Sequence, residues 1–261
     1  MADIFNTVKS RLPTGVKDTL KGTVVEDIYR HETVASLRGR SAALQRITVD
    51  SSVGRLELSV PESAGPYRMR NTLGGYEPAF VAALADDLTH QSVYYDVGAG
   101  YGYNCVVAET VGVNSANIHG FEADHFRYPI LSRNLDDTSN TVKAFVDRVS
   151  DDKQLALDDY RPRSEPPDVI TIDVEGGEYD VLLGAQQLLA SYRPVLYVEL
   201  HPELLPSDIT VADLFEYLQS FGYELTATDH RKRGQEWVAA MATELPLNRS
   251  TSSPTCMLRA D

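Results

Sequence analysis

Lysine is scarce in this sequence, standing only at positions 9, 17, 21, 143, 153 and 232, so arginine carries most of the positive charge. Together 24 lysines and arginines face 38 aspartates and glutamates, a formal net charge of -14. A surface so short of cations repels polyphosphates, and no nucleic acid is expected as a partner. The acidity has two readings: an ordinary acidic protein, or one from a salt-rich cytoplasm where ions screen the self-repulsion. The pairs Asp86-Asp87, Asp136-Asp137, Asp151-Asp152 and Asp158-Asp159, beside so little lysine, favour the second. Cysteine is equally rare; Cys105 and Cys256 read as two buried thiols, not as a disulfide framework. No stretch approaches the ~18 apolar residues of a membrane span. The first residues, Met1-Ala2-Asp3-Ile4-Phe5, lack the basic flank and apolar run of a signal peptide. A cytoplasmic chain is the expectation. The stripe Ile4, Phe5, Val8 and Leu12 could touch a membrane, though intramolecular packing is the preferred reading.

Residues 1–75 differ from the rest. Intermittent helical spacing runs from Val16 to Arg46, followed by Ile47-Thr48-Val49, a turn-like Asp50–Gly54 and Leu56–Val60. Alternation around a glycine-containing turn predicts a β-hairpin, so 1–75 reads as a helical and hairpin accessory region before a main domain over 76–261. From Glu77 onward strands and helices alternate. Strands are predicted at 92–97, 117–122, 142–146, 168–173, 194–200 and 223–228, with helices at 103–111, 126–135, 178–191 and 211–222. That rhythm predicts an α/β fold with a doubly wound, mostly parallel sheet, whose ligands bind beyond the strand carboxyl ends.

The strongest local signal is Tyr94-Tyr95-Asp96-Val97-Gly98-Ala99-Gly100-Tyr101-Gly102, a strand running into alternate glycines before a helix. Glycines allow the tight turn and the close approach of a ligand. Glu122, twenty residues past Gly102, is placed to grip ribose hydroxyls. Tyr103 stands where a dinucleotide fingerprint needs its third glycine, and Asp96 would oppose a pyrophosphate. The pattern favours a phosphate-free nucleoside over NAD. An NAD- or nucleotide-sugar-dependent oxidoreductase and a non-catalytic binding protein are the rival classes.

The segment Asp168-Val169-Ile170-Thr171-Ile172-Asp173-Val174-Glu175-Gly176-Gly177-Glu178, followed by Val181–Ala185, resembles the signature of the FkbM methyltransferases. Tyr76-Glu77-Pro78, the Asp96 loop, Phe121-Glu122-Ala123, Val149-Ser150-Asp151 and Tyr197–His201 follow the family order. The resemblance covers roughly residues 76–228. Thr171 replaces the family's usual lysine. The resemblance implies a class I, Rossmann-like methyltransferase fold using S-adenosyl-L-methionine, usually for O-methylation, and with the composition it suggests a halophilic archaeal source. Carried over by position, Asp96, Gly98, Ala99 and Gly100 border the methionine part. Glu122 and Ala123 meet the ribose, and Ser150-Asp151 the adenine edge, with solvated surface charge the competing reading of Asp151. The acceptor is a small molecule or glycan, a saccharide hydroxyl first.

Alignment of the acceptor and removal of its proton are the tasks left to the protein. Asp173 ends the fourth strand, where a carboxylate needs a partner, and is expected at both cofactor and acceptor. Glu175 either joins the chemistry or caps its turn, and Glu178 reads as an acid favourable to its own helix N-terminus. His201 is a base by its ordinary pKa or a surface histidine before Pro202. No dense set of oxygen ligands stands at adjacent positions, so no metal is expected; the alternative is a hard divalent cation on Asp173 and Glu199 that holds the acceptor oxygen. Tyr94, Tyr95, Tyr101 and Tyr103 read as packing more than as an acceptor pocket. Arg231-Lys232-Arg233 reads as a solvated loop. If the acidity is salt adaptation, the melting temperature rises from low to molar potassium chloride; a flat or falling trend would favour the ordinary acidic protein.

Overall fold

The structure, a computed structural model, describes residues 31–62, 75–160, 165–232, 234–248 and 254–261. The Ile4, Phe5, Val8 and Leu12 stripe, the helical spacing before residue 31 and Arg233 lie outside the described residues.

Helix α1 (Glu32–Ser41) leads into strands β1 (Leu44–Ser51) and β2 (Gly54–Pro61), antiparallel from Leu44 opposite Pro61 to Ser51 opposite Gly54. Alternation does the folding here: Leu56, Leu58 and Val60 are buried while Glu57 is exposed. The main fold follows with α2 (Pro78–Asp87), β3 (Tyr94–Val97), α3 (Tyr103–Thr110), β4 (Ile118–Phe121), α4 (Tyr128–Asn134) and β5 (Asn140–Val142). A short parallel pair, β6 (Phe145–Val146) and β7 (Gln154–Leu155), precedes β8 (Val169–Ile172), α5 (Glu178–Leu183), α6 (Gln186–Ser191) and β9 (Val195–Leu200). Last come α7 (Val211–Ser220), β10 (Leu225–Thr228), β11 (Val238–Ala239) and β12 (Cys256–Ala260).

Eight strands form one sheet in the order β11-β10-β12-β9-β8-β3-β4-β5. From β5 to β9 neighbouring strands are parallel, whereas β12 runs antiparallel between β9 and β10. The order reverses between β3 and β8, which makes their carboxyl ends the switch point where such sheets bind ligands. The architecture is the doubly wound, mostly parallel sheet that the strand–helix rhythm predicts. Four elements differ. Strands β11 and β12 carry no signal that the reading used. The helix predicted over 178–191 is two, because Gly184 packs so close to Asp147 that a Cβ would stand 2.1 Å from its carbonyl oxygen. The strand predicted over 142–146 is divided between β5 and the separate β6.

Burial on both faces explains the unbroken apolar strands. Tyr95, Val97, Ile170, Ile172, Leu196 and Val198 point to one core, with Leu182, Leu189 and Leu214. Tyr94, Val169 and Tyr197 point to the other, with Phe80, Val107, Leu131 and the hairpin's Leu56 and Leu58. By the period of two, Asp96, Thr171 and Glu199 share this second face. Among the described residues no helix is long and apolar enough to cross a membrane.

One side chain ties the hairpin to the sheet. Asn134 accepts from the Ser59 amide at 2.9 Å and donates to the Ser59 carbonyl at 2.9 Å and to that of Tyr101 at 2.8 Å. Asn134→Ala strands these groups and is expected to cost ~1–3 kcal/mol, read as a lower urea midpoint. An unchanged midpoint would show that the hairpin holds without this link.

Candidate active site

The loop after β3 is shaped by contact with the end of β8. Gly98 has φ +85° and lies so near Asp173 that a Cβ there would stand 1.8 Å from the Asp173 carbonyl oxygen. The amides of Gly98 and Ala99 donate to the Phe121 carbonyl at 3.0 and 2.9 Å, which moors the loop to β4. Glu122, one residue past that strand, accepts from the Gly100 amide and from the Asp124 amide, each at 2.7 Å. Burial raises the Glu122 carboxyl above its ordinary pKa, against the pull of those amides and of Arg127.

These loops enclose a cleft of about 640 Å³. Gly98, Ala99, Gly100, Glu122, Ala123, Asp173 and Glu175 line it, as does Tyr101. Several expected residues stand elsewhere. Asp96 is buried beneath the loop, where Thr171 donates to it at 2.7 Å and Asn104 and Cys105 at 3.3 Å each. Burial raises its carboxyl too. Thr171, at the position where the resemblance would put a lysine, thus donates to this acid. Ser150 and Asp151 lie outside the cleft lining. Ser150 accepts from the Ala156 amide at 2.9 Å, and Asp151 holds its own turn by accepting from the Lys153 and Gln154 amides at 2.7 and 2.9 Å. At the cleft stands Asp147, next to β6. The expected strand ends where β6 does, at Val146, and Asp147 is passed over because the family order points to Ser150-Asp151.

The floor of the cleft is a charge cluster. Asp173 has nearly half of its side chain, 47%, open to the cleft, and among the described residues that side chain makes no hydrogen bond. Removal from water raises its carboxyl well above the ordinary value, and the charges of Glu199, Glu77, Glu178 and Glu175 add to this. Behind it lies His201, whose Nε2 is 3.8 Å from Asp173 Oδ1 and whose Nδ1 is 2.8 Å from Glu178 Oε1. His201 is neither a surface histidine nor a wall of the cleft. Burial alone would lower its imidazole, but the hydrogen bond to Glu178 and the charges of Glu178, Glu199 and Glu175 outweigh that and raise it. Glu178 is fully buried and also accepts from the Gly176 amide at 2.9 Å, so it braces its turn as well as the histidine. Glu175 is held in the left-handed region, φ +53°, at the cleft wall.

Deeper still, Glu199 accepts from Arg231 at 2.7 Å and lies 3.3 Å from His230 Nε2, while Glu77 lies 3.7 Å from the same nitrogen. Arg231 is therefore a partly buried partner of the floor, a correction to its reading as solvated loop; Lys232 beside it is exposed. Glu77, His230 and Arg231 went unseen because they come from segments some 150 residues apart. Two trios, Glu77–Glu199–His230 and Asp173–Glu199–His201, bring three donor atoms within 4.8 Å, the spacing of a cation site. In the first the Arg231 guanidinium supplies the positive charge, and in the second His201 is locked to Glu178. Both are ion-paired clusters and are not read as metal ligands.

The fold and this cleft define a Rossmann-like enzyme built around a nucleoside site at the switch point. The methyltransferase FkbM domain matches residues 82–225, more than half of the chain. The chain belongs to the FkbM family of S-adenosylmethionine-dependent methyltransferases. No curated protein sequence matches it. Among solved structures it resembles the FkbM methyltransferase of Methylobacillus flagellatus, at 16% identity and TM-score 0.47, over 65% of this chain and 44% of that one. It thus spans less than half of that protein's length. It also resembles a precorrin-6y C5,15-methyltransferase of Geobacter metallireducens (18% identity, TM-score 0.44, 70% of this chain and 86% of that one). A putative tRNA methyltransferase of Streptococcus pneumoniae, in complex with S-adenosyl-L-methionine, is similar at 14% identity and TM-score 0.45, over 70% and 72% of the two chains.

The residues present fit the cofactor. The lining carries the carboxylates of Glu77, Glu122, Asp147, Asp173, Glu175 and Asp180 against the one guanidinium of Arg127. Such a field suits a sulfonium cation and opposes a pyrophosphate. Gly98→Ala combines a left-handed backbone with a clash against main chain, and ~1–3 kcal/mol of strain is the least it adds. The variant is expected to melt lower and to bind S-adenosylhomocysteine at least tenfold more weakly. Normal melting and affinity would show that the two strand ends need no such contact.

Proposed function

We propose that the chain methylates a hydroxyl oxygen, a saccharide hydroxyl first, and that Asp173 is the catalytic residue facing the acceptor. The observation that carries this is the Asp173 carboxyl itself, open to the cleft, without a hydrogen-bond partner among the described residues, beside the glycine loop. In the cofactor's half, Gly98, Ala99 and Gly100 border the methionine part, Glu122 and Ala123 the ribose, and Asp96 supports the loop from beneath. Asp147 takes the adenine-edge part expected of Asp151, since it lines the cleft. When bound, S-adenosylmethionine supplies a methyl group already activated on a sulfonium.

What the chain adds is a proton acceptor and its orientation. Ionised Asp173 accepts the hydroxyl proton at a side-chain oxygen as the acceptor oxygen becomes nucleophilic. His201, behind it and held by Glu178, steadies the ionised carboxylate. Glu175, on the adjoining turn, orients the acceptor. The acidic cleft and the net charge of -14 support a small uncharged acceptor over a nucleic acid. The same composition supports a salt-rich, halophilic cytoplasm as the setting.

Asp173 works as a base only when ionised, and its pKa is raised. Turnover is therefore lost as pH falls through a value above the ordinary carboxylate range. Asp173→Asn should keep the fold and the affinity for S-adenosylhomocysteine while turnover drops ~10²-fold or more. Normal turnover in that variant, measured across a panel of saccharide hydroxyl acceptors, would remove Asp173 from the chemistry.

A further inference from the structure

Two carboxylates of the cleft floor, Asp173 and Glu199, sit with their ligand atoms within 4.8 Å of each other, yet in opposite surroundings. Glu199 is enclosed, its side chain 3% exposed, and Arg231 Nη2 lies 2.7 Å from its Oε1. His230 Nε2 stands 3.3 Å from the same oxygen and His201 Nε2 4.0 Å. Asp173 has no arginine; its one charged neighbour of positive sign among the described residues is His201 at 3.8 Å. Around it stand only further acids: Glu77 ahead of α2, Glu175 and Glu178 from the following turn and helix, and Glu199 from β9.

We propose that Glu199, fixed as a carboxylate by Arg231, is a positioning residue that makes Asp173 the carboxyl of the pair that takes up a proton first. Two like charges this close resist joint ionisation, and the better-partnered one keeps its charge. Arg231, which donates to Glu199 at 2.7 Å and to His230 Nε2 at 3.2 Å, decides which that is. Burial alone would raise the Glu199 carboxyl, but the His230 hydrogen bond and the charges of His230, Arg231 and His201 hold it well below the ordinary range. The proton is left to Asp173, the member that opens on the acceptor. Arg231 comes from the loop after β10 and has no place in the cleft lining, so its part is exercised through Glu199.

This rests on Asp173 as the acceptor-facing base, but its test does not need turnover. Side-chain carboxyl carbons are titrated by NMR in the full chain, with the Asp173 signal assigned from Asp173→Asn. Asp173 in the unsubstituted chain should titrate above the ordinary carboxylate value. Glu199→Gln should bring its midpoint down by about one pH unit or more. Glu199→Asp, which keeps the charge, should leave it high. A midpoint near ~3.9 in the unsubstituted chain overturns the proposal, whether or not the glutamine variant folds. So does an equal fall in both variants, which would make packing the cause. Selective broadening of the Asp173 and His201 signals by manganese would do the same, because a cation would then hold the two acids together. The titration is read without cofactor or acceptor, so a chain that fails to methylate any hydroxyl would undo the proposed function and leave this result standing.

Discussion

The close approach of two strand ends at the switch point governs everything around it. Because the Gly98 backbone meets the Asp173 carbonyl, the loop after β3 and the turn after β8 form one continuous wall. No side chain at Gly98 is compatible with that, and the left-handed φ closes the position to other residues a second time. Glu122 is brought to the loop by the same turn, since its oxygen receives the Gly100 amide. The cleft and the placing of Glu122 and Asp173 at its wall are consequences of one contact between main chains.

Legibility in the sequence followed the range of the interaction. The glycine loop and Asp173 each reveal themselves within a dozen residues, because strand, turn and helix are local events, and Glu122 by its spacing from that loop. Tyr94 and Tyr95 read as packing from their neighbours in the same way, and they are buried on opposite faces. The helix over 178–191 was misread because Gly184 answers to Asp147, far away in the chain. Strand β12 was invisible because Cys256–Ala260 is five residues long, and its place between β9 and β10 is set by tertiary pairing alone. Glu77, His230 and Arg231 show the limit most clearly. Their meeting with Glu199 is a fact of the folded sheet, and nothing in their local spacing announces it.

Negative charge serves different ends in different parts of this molecule. On the surface, acids such as Asp136 and Asp151 turn inward on their own backbone, each accepting amides of the residues that follow. Beneath the glycine loop, Asp96 is satisfied by neutral donors, Thr171, Asn104 and Cys105. At the cleft floor the acids are sorted by their partners, some tied to arginine or histidine and Asp173 left open. A carboxylate count alone could not separate these roles; burial and the nature of the donor do.

The place of β12 bears on how the chain comes to be folded during its synthesis. That strand pairs with β9, which carries Glu199 and leads directly into His201, and with β10, which leads to His230 and Arg231. Until residues 256–260 have left the ribosome, one edge of β9 stays unpaired, and the two segments that build the cleft floor have no strand between them. The nucleoside half, complete by β8, is available to fold first. The segments that carry Glu199, His230 and Arg231 are joined only when β12 pairs between β9 and β10.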